Sequence, residues 1–338
     1  MREPAFWQAR SSWQSLLLSP LGGLYGAITA RRMTRAGQRV GVPVFCVGNY
    51  HVGGAGKTPT VLALGALLTE LGERPWVVSR GYGGRLAGPV AVDPAQHTAA
   101  DVGDEPLMLA ASLPVIVARD RVAGAQLART QGASVIVLDD GFQNPALAKD
   151  VALIVIDAGR GLGNGCVFPA GPLRAPLAPQ LARTDALIVV GEGHAAETVA
   201  SAVAARNKPV LSVRLKPDPA SVSALVGKRV LAFAGIGDPR RFFATLRASG
   251  VDVANQRAFA DHHPFSPSEI QALEQQAARE GLTLVTTEKD FVRLCSDSRL
   301  AVYASGIMPF KVSLDLGDGV ALRTIVADVL KRRRVAAS

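Results

Sequence analysis

A glycine-rich loop, five carboxylates and one histidine pair carry the chemistry legible in this chain. Residues 42–61 read VPVFCVGNYHVGGAGKTPTV, an apolar run, a loop nearly devoid of side chains, and then Lys57-Thr58. Gly53, Gly54, Ala55 and Gly56 let backbone N–H groups approach an anion closely, and a helix opening near Lys57 adds its positive dipole end. Lys57 suits the β- and γ-phosphates of a nucleotide, and the Thr58 hydroxyl suits Mg²⁺. The strict pattern places a glycine where this chain has His51. A bare glycine turn is the alternative, but Gly-Lys-Thr between a strand and an apolar helix favours phosphate binding.

The second group is Val135-Ile-Val-Leu-Asp139-Asp140-Gly-Phe-Gln143, an apolar strand ending in two acids. Carboxylates at such a strand end hold Mg²⁺ beside a phosphate loop; a capping turn at Asp140-Gly141 is the plainer reading. In Gly103-Asp104-Glu105-Pro106 the choice stays open. Asp104 suits an N-cap, with Glu105 and Pro106 in a first helical turn; equally, one carboxylate could face the phosphates as metal ligand or general base. Phe259-Ala-Asp261-His262-His263-Pro264-Phe265 contains two of the five histidines beside an acid, which is either a polar loop or a tuned proton acceptor. Zinc does not fit that spacing. Arg80, Arg119, Arg121 and Arg174 lie in loops or just past strands, where guanidinium groups clamp phosphates.

The elements that must position these residues follow from hydrophobic periodicity. Near-continuous apolar runs at 76–79, 115–118, 135–139, 152–157, 186–190 and 210–215 predict strands covered on both faces, with helices over 58–71, 105–112 and 121–131 between them. That is a doubly wound α/β sheet of the P-loop NTPase type. Lys216-Pro217-Asp218-Pro219 reads as a connector. Beyond it, strands at 229–234, 282–286 and 301–304 and helices at 239–249, 268–280 and 320–333 predict a second, smaller α/β domain. The expected division is 1–40, 41–217 and 218–338, with the substrate cleft between the two larger parts.

Composition sets the frame. The 338 residues are 48% hydrophobic and 19% charged, with a net charge of +9, which describes a core-rich globular chain. Cys46, Cys166 and Cys295 show neither metal nor disulfide spacing and fit a reducing compartment. There is no internal repeat or low-complexity segment. The basic charge gathers at Arg2, Arg10, Arg31, Arg32, Arg35 and Arg39, opposed by Glu3 alone, and again at Lys331, Arg332, Arg333 and Arg334. A helix end accounts equally well for the second cluster. The first follows an apolar stretch with Leu17, Leu21, Leu24 and Ile28 at helical spacing. Pro20, Gly22 and Gly23 interrupt it, and about a dozen residues fall short of the roughly twenty needed to span a bilayer. It predicts an interfacial helix on an anionic membrane, the alternative being a helix packed on the protein's own core. Charge confined to the termini and 5% aromatics argue against nucleic acid. No guanine-reading motif is present at Thr286-Thr287-Glu288-Lys289-Asp290, and no obligate protein partner is expected. A membrane-associated ATPase switch is the second functional reading.

Taken together, the motifs resemble the tetraacyldisaccharide 4′-kinase (lipid A 4′-kinase) family. The resemblance rests on residues 47–60 (VGNYHVGGAGKTPT), 79–84 (SRGYGG), 102–110 (VGDEPLMLA), 135–143 (VIVLDDGFQ), 169–174 (PAGPLR), 235–243 (GIGDPRRFF), 259–265 (FADHHPF) and 286–294 (TTEKDFVRL). It implies transfer of the ATP γ-phosphate to the 4′-hydroxyl of a tetraacylated glucosamine disaccharide 1-phosphate at the cytoplasmic face of a bacterial inner membrane. By resemblance, Lys57 and Thr58 belong to the nucleotide loop, Asp139 and Asp140 to the Mg²⁺ site with Gln143 close by, and Asp104 acts with His262 on the hydroxyl. Asp261 is expected to support that histidine, Arg121 to stabilise the γ-phosphoryl group, and domain closure to assemble the site. The family's loop also lacks the first glycine, so His51 ceases to count against it. The family's PLRE reads Pro172-Leu173-Arg174-Ala175 here, and no role is carried to position 175.

Overall fold

The computed structural model describes residues 4–9, 11–317 and 319–335; Arg2, Glu3 and Arg10 of the N-terminal charge cluster lie outside them. Thirteen strands form two sheets. They are β1 (Val44–Gly48), β2 (Pro75–Ser79), β3 (Val90–Ala91), β4 (Val115–Val117), β5 (Val135–Asp139), β6 (Val151–Asp157), β7 (Ala186–Val190), β8 (Val210–Pro217), β9 (Arg229–Ala234), β10 (Asp252–Ala258), β11 (Thr283–Thr287), β12 (Ile307–Phe310) and β13 (Val312–Asp315). The large sheet runs β13-β8-β7-β6-β1-β5-β2-β4-β3 and the small one β10-β9-β11-β12. Pairing is parallel except for β3 on β4 and β13 on β8.

Unbroken apolar strands make sense because both faces are covered. On β1, Phe45 and Val47 enter a core with Val61, Leu64 and Leu68 of the helix Lys57–Glu70, while Val44 and Cys46 enter the opposite core with Ala125 and Ala128 of the helix Arg121–Thr130. Alternation persists, but both sides are buried. All three cysteines are free.

Two expectations need correction, and two elements went unread. The boundary assigning 218–338 wholly to the second unit fails, because the chain crosses back. Val312–Asp315 pairs antiparallel with β8, and Leu322, Val326 and Val329 of the last helix enter the core beneath Lys57–Glu70. Residues 301–304 are not a strand but part of a 3₁₀ turn over Ala301–Gly306; the strand that pairs with β11 is Ile307–Phe310. The edge strand β10 and the helix Glu288–Ser296 carry too little continuous apolar character to be read from sequence.

The N-terminal stretch is a single helix, Trp13–Met33, that runs through Pro20. Proline cannot donate to the Leu16 carbonyl, and the Ser19 hydroxyl does so instead at 2.8 Å. The helix buries its small side, Ser15, Gly22, Gly26 and Thr29, and exposes Trp13, Leu16, Leu17, Leu21, Leu24 and Ile28. Close approach requires glycine at position 22, where an added Cβ would stand 2.8 Å from the Val167 carbonyl. Among the described residues no helix is long and apolar enough to cross a membrane.

Candidate active site

The phosphate-binding geometry begins at the carboxyl end of β1. Gly53 and Gly56 have φ of +102° and +89°, angles that favour glycine. Gly56 caps the helix Lys57–Glu70 with no side-chain hydrogen bond and no acid in the first turn, so those N–H groups face outward without a competing carboxylate. His51 does not disturb the loop. Its ring is buried, its Nδ1 lies 2.9 Å from the Val52 carbonyl, and its own carbonyl accepts from Arg174 Nε at 3.1 Å. Ala55 is buried, Gly54 has open space on its Cβ side, and Thr58 is half-buried in the helix's first turn.

Asp139 and Asp140 end β5 next to β1 and behave oppositely. Burial, followed by the charges of Glu105 and Asp140, pushes the Asp139 carboxyl up to about 7 despite Lys57 and the Ser79 hydroxyl, which donates to it at 2.9 Å. For Asp140 burial also acts upward, but Lys57 at 3.8 Å and Arg174 at 2.8 Å prevail, with help from Arg121, and hold it at about 2. Asp140 sits at φ +51°. A left-handed non-glycine residue is costly and recurs at functional sites.

Arg121 opens its helix just past β4 and is 3% exposed. One terminal nitrogen donates to the Ala118 carbonyl at 2.6 Å, while Nε is buried with no hydrogen-bond partner. Burial lowers its pKa, and Asp139 and Asp140 pull it back. Arg80 and Arg119 are exposed. The Gln143 amide nitrogen donates to the Asn49 carbonyl at 2.7 Å and to Gln180 Oε1 at 2.9 Å, which ties it to the residue that follows β1. Ala175 is fully buried in the core.

Asp104 is not an N-cap, so that alternative closes. The cap is Gly103, at φ +91°, and Asp104 is the first helical residue of Asp104–Ala110. A Cβ at Gly103 would lie 2.5 Å from the Tyr82 carbonyl, which ties this helix start to the Ser79–Gly84 loop. The Asp104 carboxylate faces the second unit. Its Oδ2 lies 2.8 Å from His262 Nδ1 and 2.6 Å from an Arg293 terminal nitrogen. Burial would raise this carboxyl, but the hydrogen bonds from His262 and Arg293 outweigh it and hold it well below the carboxylate range.

An ionised carboxylate only accepts, so His262 donates from Nδ1, which in the neutral imidazole leaves Nε2 as the acceptor. Lys289 Nζ stands 3.3 Å from Nε2 and 3.9 Å from Glu105. Asp261 is 3.8 Å from Nε2, outside hydrogen-bond range; Asp104, not Asp261, fixes the ring. His262 has φ +57° and donates its backbone N–H to the Gly235 carbonyl at 3.0 Å. Arg293 also donates to Asp290 at 2.8 Å, and fully buried Asp290 accepts from the Gly235 N–H at 2.9 Å. Arg293, Lys289 and Asp290 received no role from sequence. Their run, 286–294, was visible as a motif, but nothing in it says that one helix face reaches Asp104.

The hard-oxygen set of Thr58, Asp139, Asp140 and Glu105 suits Mg²⁺. Besides burial, the negative charges of Glu105 and Asp140 act on Asp139, and a divalent cation would neutralise that charge. Among the described residues no three acids, histidines or cysteines already form a metal cage.

A doubly wound sheet with a lysine-bearing phosphate loop, paired acids on the adjacent strand and an acid–histidine pair bridging to a second unit defines a P-loop phosphotransferase. The match to "Tetraacyldisaccharide-1-P 4'-kinase" spans residues 14–331, and the chain belongs to that family. It is similar to the tetraacyldisaccharide 4′-kinases of Bradyrhizobium sp. (strain BTAi1), 66% identical over 99% of this chain and 97% of that one, and of Nitrobacter winogradskyi, 64% identical over 99% and 100%. Among solved structures it resembles "apo" form LpxK from Aquifex aeolicus in complex with ATP, with a TM-score of 0.70 and 25% identity over 94% of this chain and 99% of that one. The chain is a P-loop kinase of lipid A biosynthesis.

Proposed function

We propose that the protein transfers the γ-phosphoryl group of ATP to the 4′-hydroxyl of a tetraacylated glucosamine disaccharide 1-phosphate, with the proton passing to the Asp104–His262 pair. The observation that carries this is the 2.8 Å bond from His262 Nδ1 to Asp104, which leaves Nε2 as the acceptor on an imidazole fixed in tautomer and orientation. The loop from Gly53 to Thr58 cradles the phosphates, and Lys57 and Arg121 neutralise developing oxygen charge. Bound Mg²⁺, held by Thr58 and the acids of 139–140 with Glu105 nearby, supplies charge neutralisation on the phosphate oxygens. Lys289 bridges His262 and Glu105; a transferring phosphoryl group would draw its ammonium away and free Nε2. Because the proton acceptor belongs to the second unit, approach of the two units completes the site and limits idle ATP hydrolysis.

The exposed face of Trp13–Met33, with Arg31 and Arg32 in its last turn, supports docking on an anionic membrane at the cytoplasmic face, where acyl chains and headgroups can both be met. Incubation with γ-labelled ATP and the lipid disaccharide 1-phosphate should place label in the lipid. Asp104→Ala should lower kcat by about two orders of magnitude or more with ATP binding retained. ATP turnover with no labelled lipid would favour an ATPase switch.

A further inference from the structure

On the side of the large sheet covered by the N-terminal helix lies a cavity of about 210 Å³ that the kinase site does not use. Its wall includes Arg35, Lys149, Arg183 and Asp185, with Phe142 and Leu147 as apolar lining. The wall is built rather than incidental. The chain leaving the helix is stitched to it by Gln38 N–H to the Ala146 carbonyl at 2.8 Å and Ala148 N–H to the Gln38 carbonyl at 2.9 Å. A Cβ on Gly37 would stand 2.4 Å from Ala148 N.

Its wall carries three cations against one carboxylate. Lys149 donates only to the Asn144 and Leu147 carbonyls, at 2.6 and 3.3 Å. Arg35 and Arg183 are exposed and have no carboxylate partner among the described residues. Asp185 is already engaged by the Ala152 N–H at 2.9 Å and by Lys208 at 3.2 Å. Burial, and repulsion from Arg183 and Arg121, lower the Lys149 ammonium pKa. Three cations around one cavity call for an anion.

Position narrows the class. The exposed row Leu17, Leu21, Leu24 and Ile28 leads toward Arg31 and Arg32 in the helix's last turn, and Arg35, just past the helix end, forms the cavity's rim. An amphiphile lying along this row has its acyl chains on the leucines and its headgroup at the cavity. We propose that Arg35, Lys149 and Arg183 form a binding site for a lipid-borne phosphate ester. This rests on the lipid-surface reading above and extends it to a defined headgroup contact. The ester is the phosphodiester of an anionic phospholipid, because Lys149 and Asp185 lie at the amino ends of β6 and β7, at the end of the sheet opposite the phosphate loop.

The test uses the full chain carrying Arg35→Gln with Arg183→Gln, both exposed, and the charge-retaining pair Arg35→Lys with Arg183→Lys. Circular dichroism confirms that each is folded. One arm measures sedimentation with vesicles of phosphatidylcholine and of phosphatidylcholine with phosphatidylglycerol. The other measures KM for the disaccharide 1-phosphate in neutral detergent micelles. If a phospholipid occupies the site, the glutamine pair loses roughly ten- to thirty-fold in its preference for anionic vesicles, the lysine pair recovers most of it, and high salt abolishes it. KM in micelles stays near the wild-type value, and a tenfold rise there with the vesicle preference unchanged overturns the phospholipid assignment. Wild-type behaviour of the glutamine pair in both arms overturns the site. The vesicle arm stands even if the lipid-labelling assay fails, so the two failures are distinguishable.

Discussion

Arg293 lies with a terminal nitrogen 2.6 Å from Asp104 Oδ2, although 189 residues separate the two in sequence. Both side chains are about nine-tenths buried. The arginine belongs to the smaller unit's helix Glu288–Ser296 and the aspartate to the larger unit's Asp104–Ala110. A second carboxylate, Asp290, holds the arginine's other terminal nitrogen at 2.8 Å. One guanidinium thus joins the two units and fixes the oxygen that orients His262. Val292 packs nearby against the cluster of Ala99, Val102, Leu107 and Val117. On the far side of the interface Arg241 reaches Asp157.

If Arg293 acts through Asp104, Arg293→Gln should lower kcat about ten- to a hundredfold with ATP affinity nearly unchanged. In an Asp104→Asn background the same change should cost little more. Steady-state kinetics of the double-mutant cycle decide it: additive losses would assign Arg293 a separate role.

Asp104 also gives a pH signature. Its folded pKa lies below the ordinary value, so its contribution to stability is fully present above about pH 4, the unfolded value, and is lost as pH falls below it. Asp104→Asn should destabilise the neutral protein by on the order of 3 kcal/mol by leaving Arg293 underpaired. Thermal unfolding from pH 7 to pH 3 should show that difference shrinking only at the acid end.

Arg121 has an orphaned buried Nε and faces the field of Asp139 and Asp140. Arg121→Met should reduce kcat by roughly two to three orders of magnitude, the range for loss of one preorganised charge donor. Arg121→Lys should restore only part, because one ammonium cannot reach both the Ala118 carbonyl and a phosphoryl oxygen. Single-turnover rates at saturating ATP check this.

Leu17 and Leu24 are 69% and 63% exposed. Leu17→Ser with Leu24→Ser should leave the melting temperature within about 1 °C while weakening vesicle partitioning by tenfold or more, since each leucine withdrawn from the acyl boundary forfeits about 1.5–3 kcal/mol. Unchanged partitioning would place the membrane contact elsewhere.

Much of the larger unit was legible because its signals are local. The run 135–139 is β5 to the residue, and 186–190 is β7 to the residue. The phosphate loop announces itself through glycines that backbone angles require. Less was legible where the deciding partner is remote. Gln143 reads as a site residue beside Asp139 and Asp140, and only the fold shows that Gln180 and Asn49 hold its amide nitrogen. Pro20 looks like a break, yet a neighbouring hydroxyl satisfies the freed carbonyl.

By itself the sequence determined the nucleotide-loop chemistry, the parallel-sheet class and the family, because glycine, lysine and apolar periodicity act within a few residues of their own position. Only the tertiary structure decided three further matters. The chain's last strand and helix return to the first unit. The N-terminal helix buries its glycines and shows its leucines. Asp104 is shared by His262 and Arg293. Each depends on which surfaces meet after the chain has closed loops of more than a hundred residues, and no local pattern encodes that meeting.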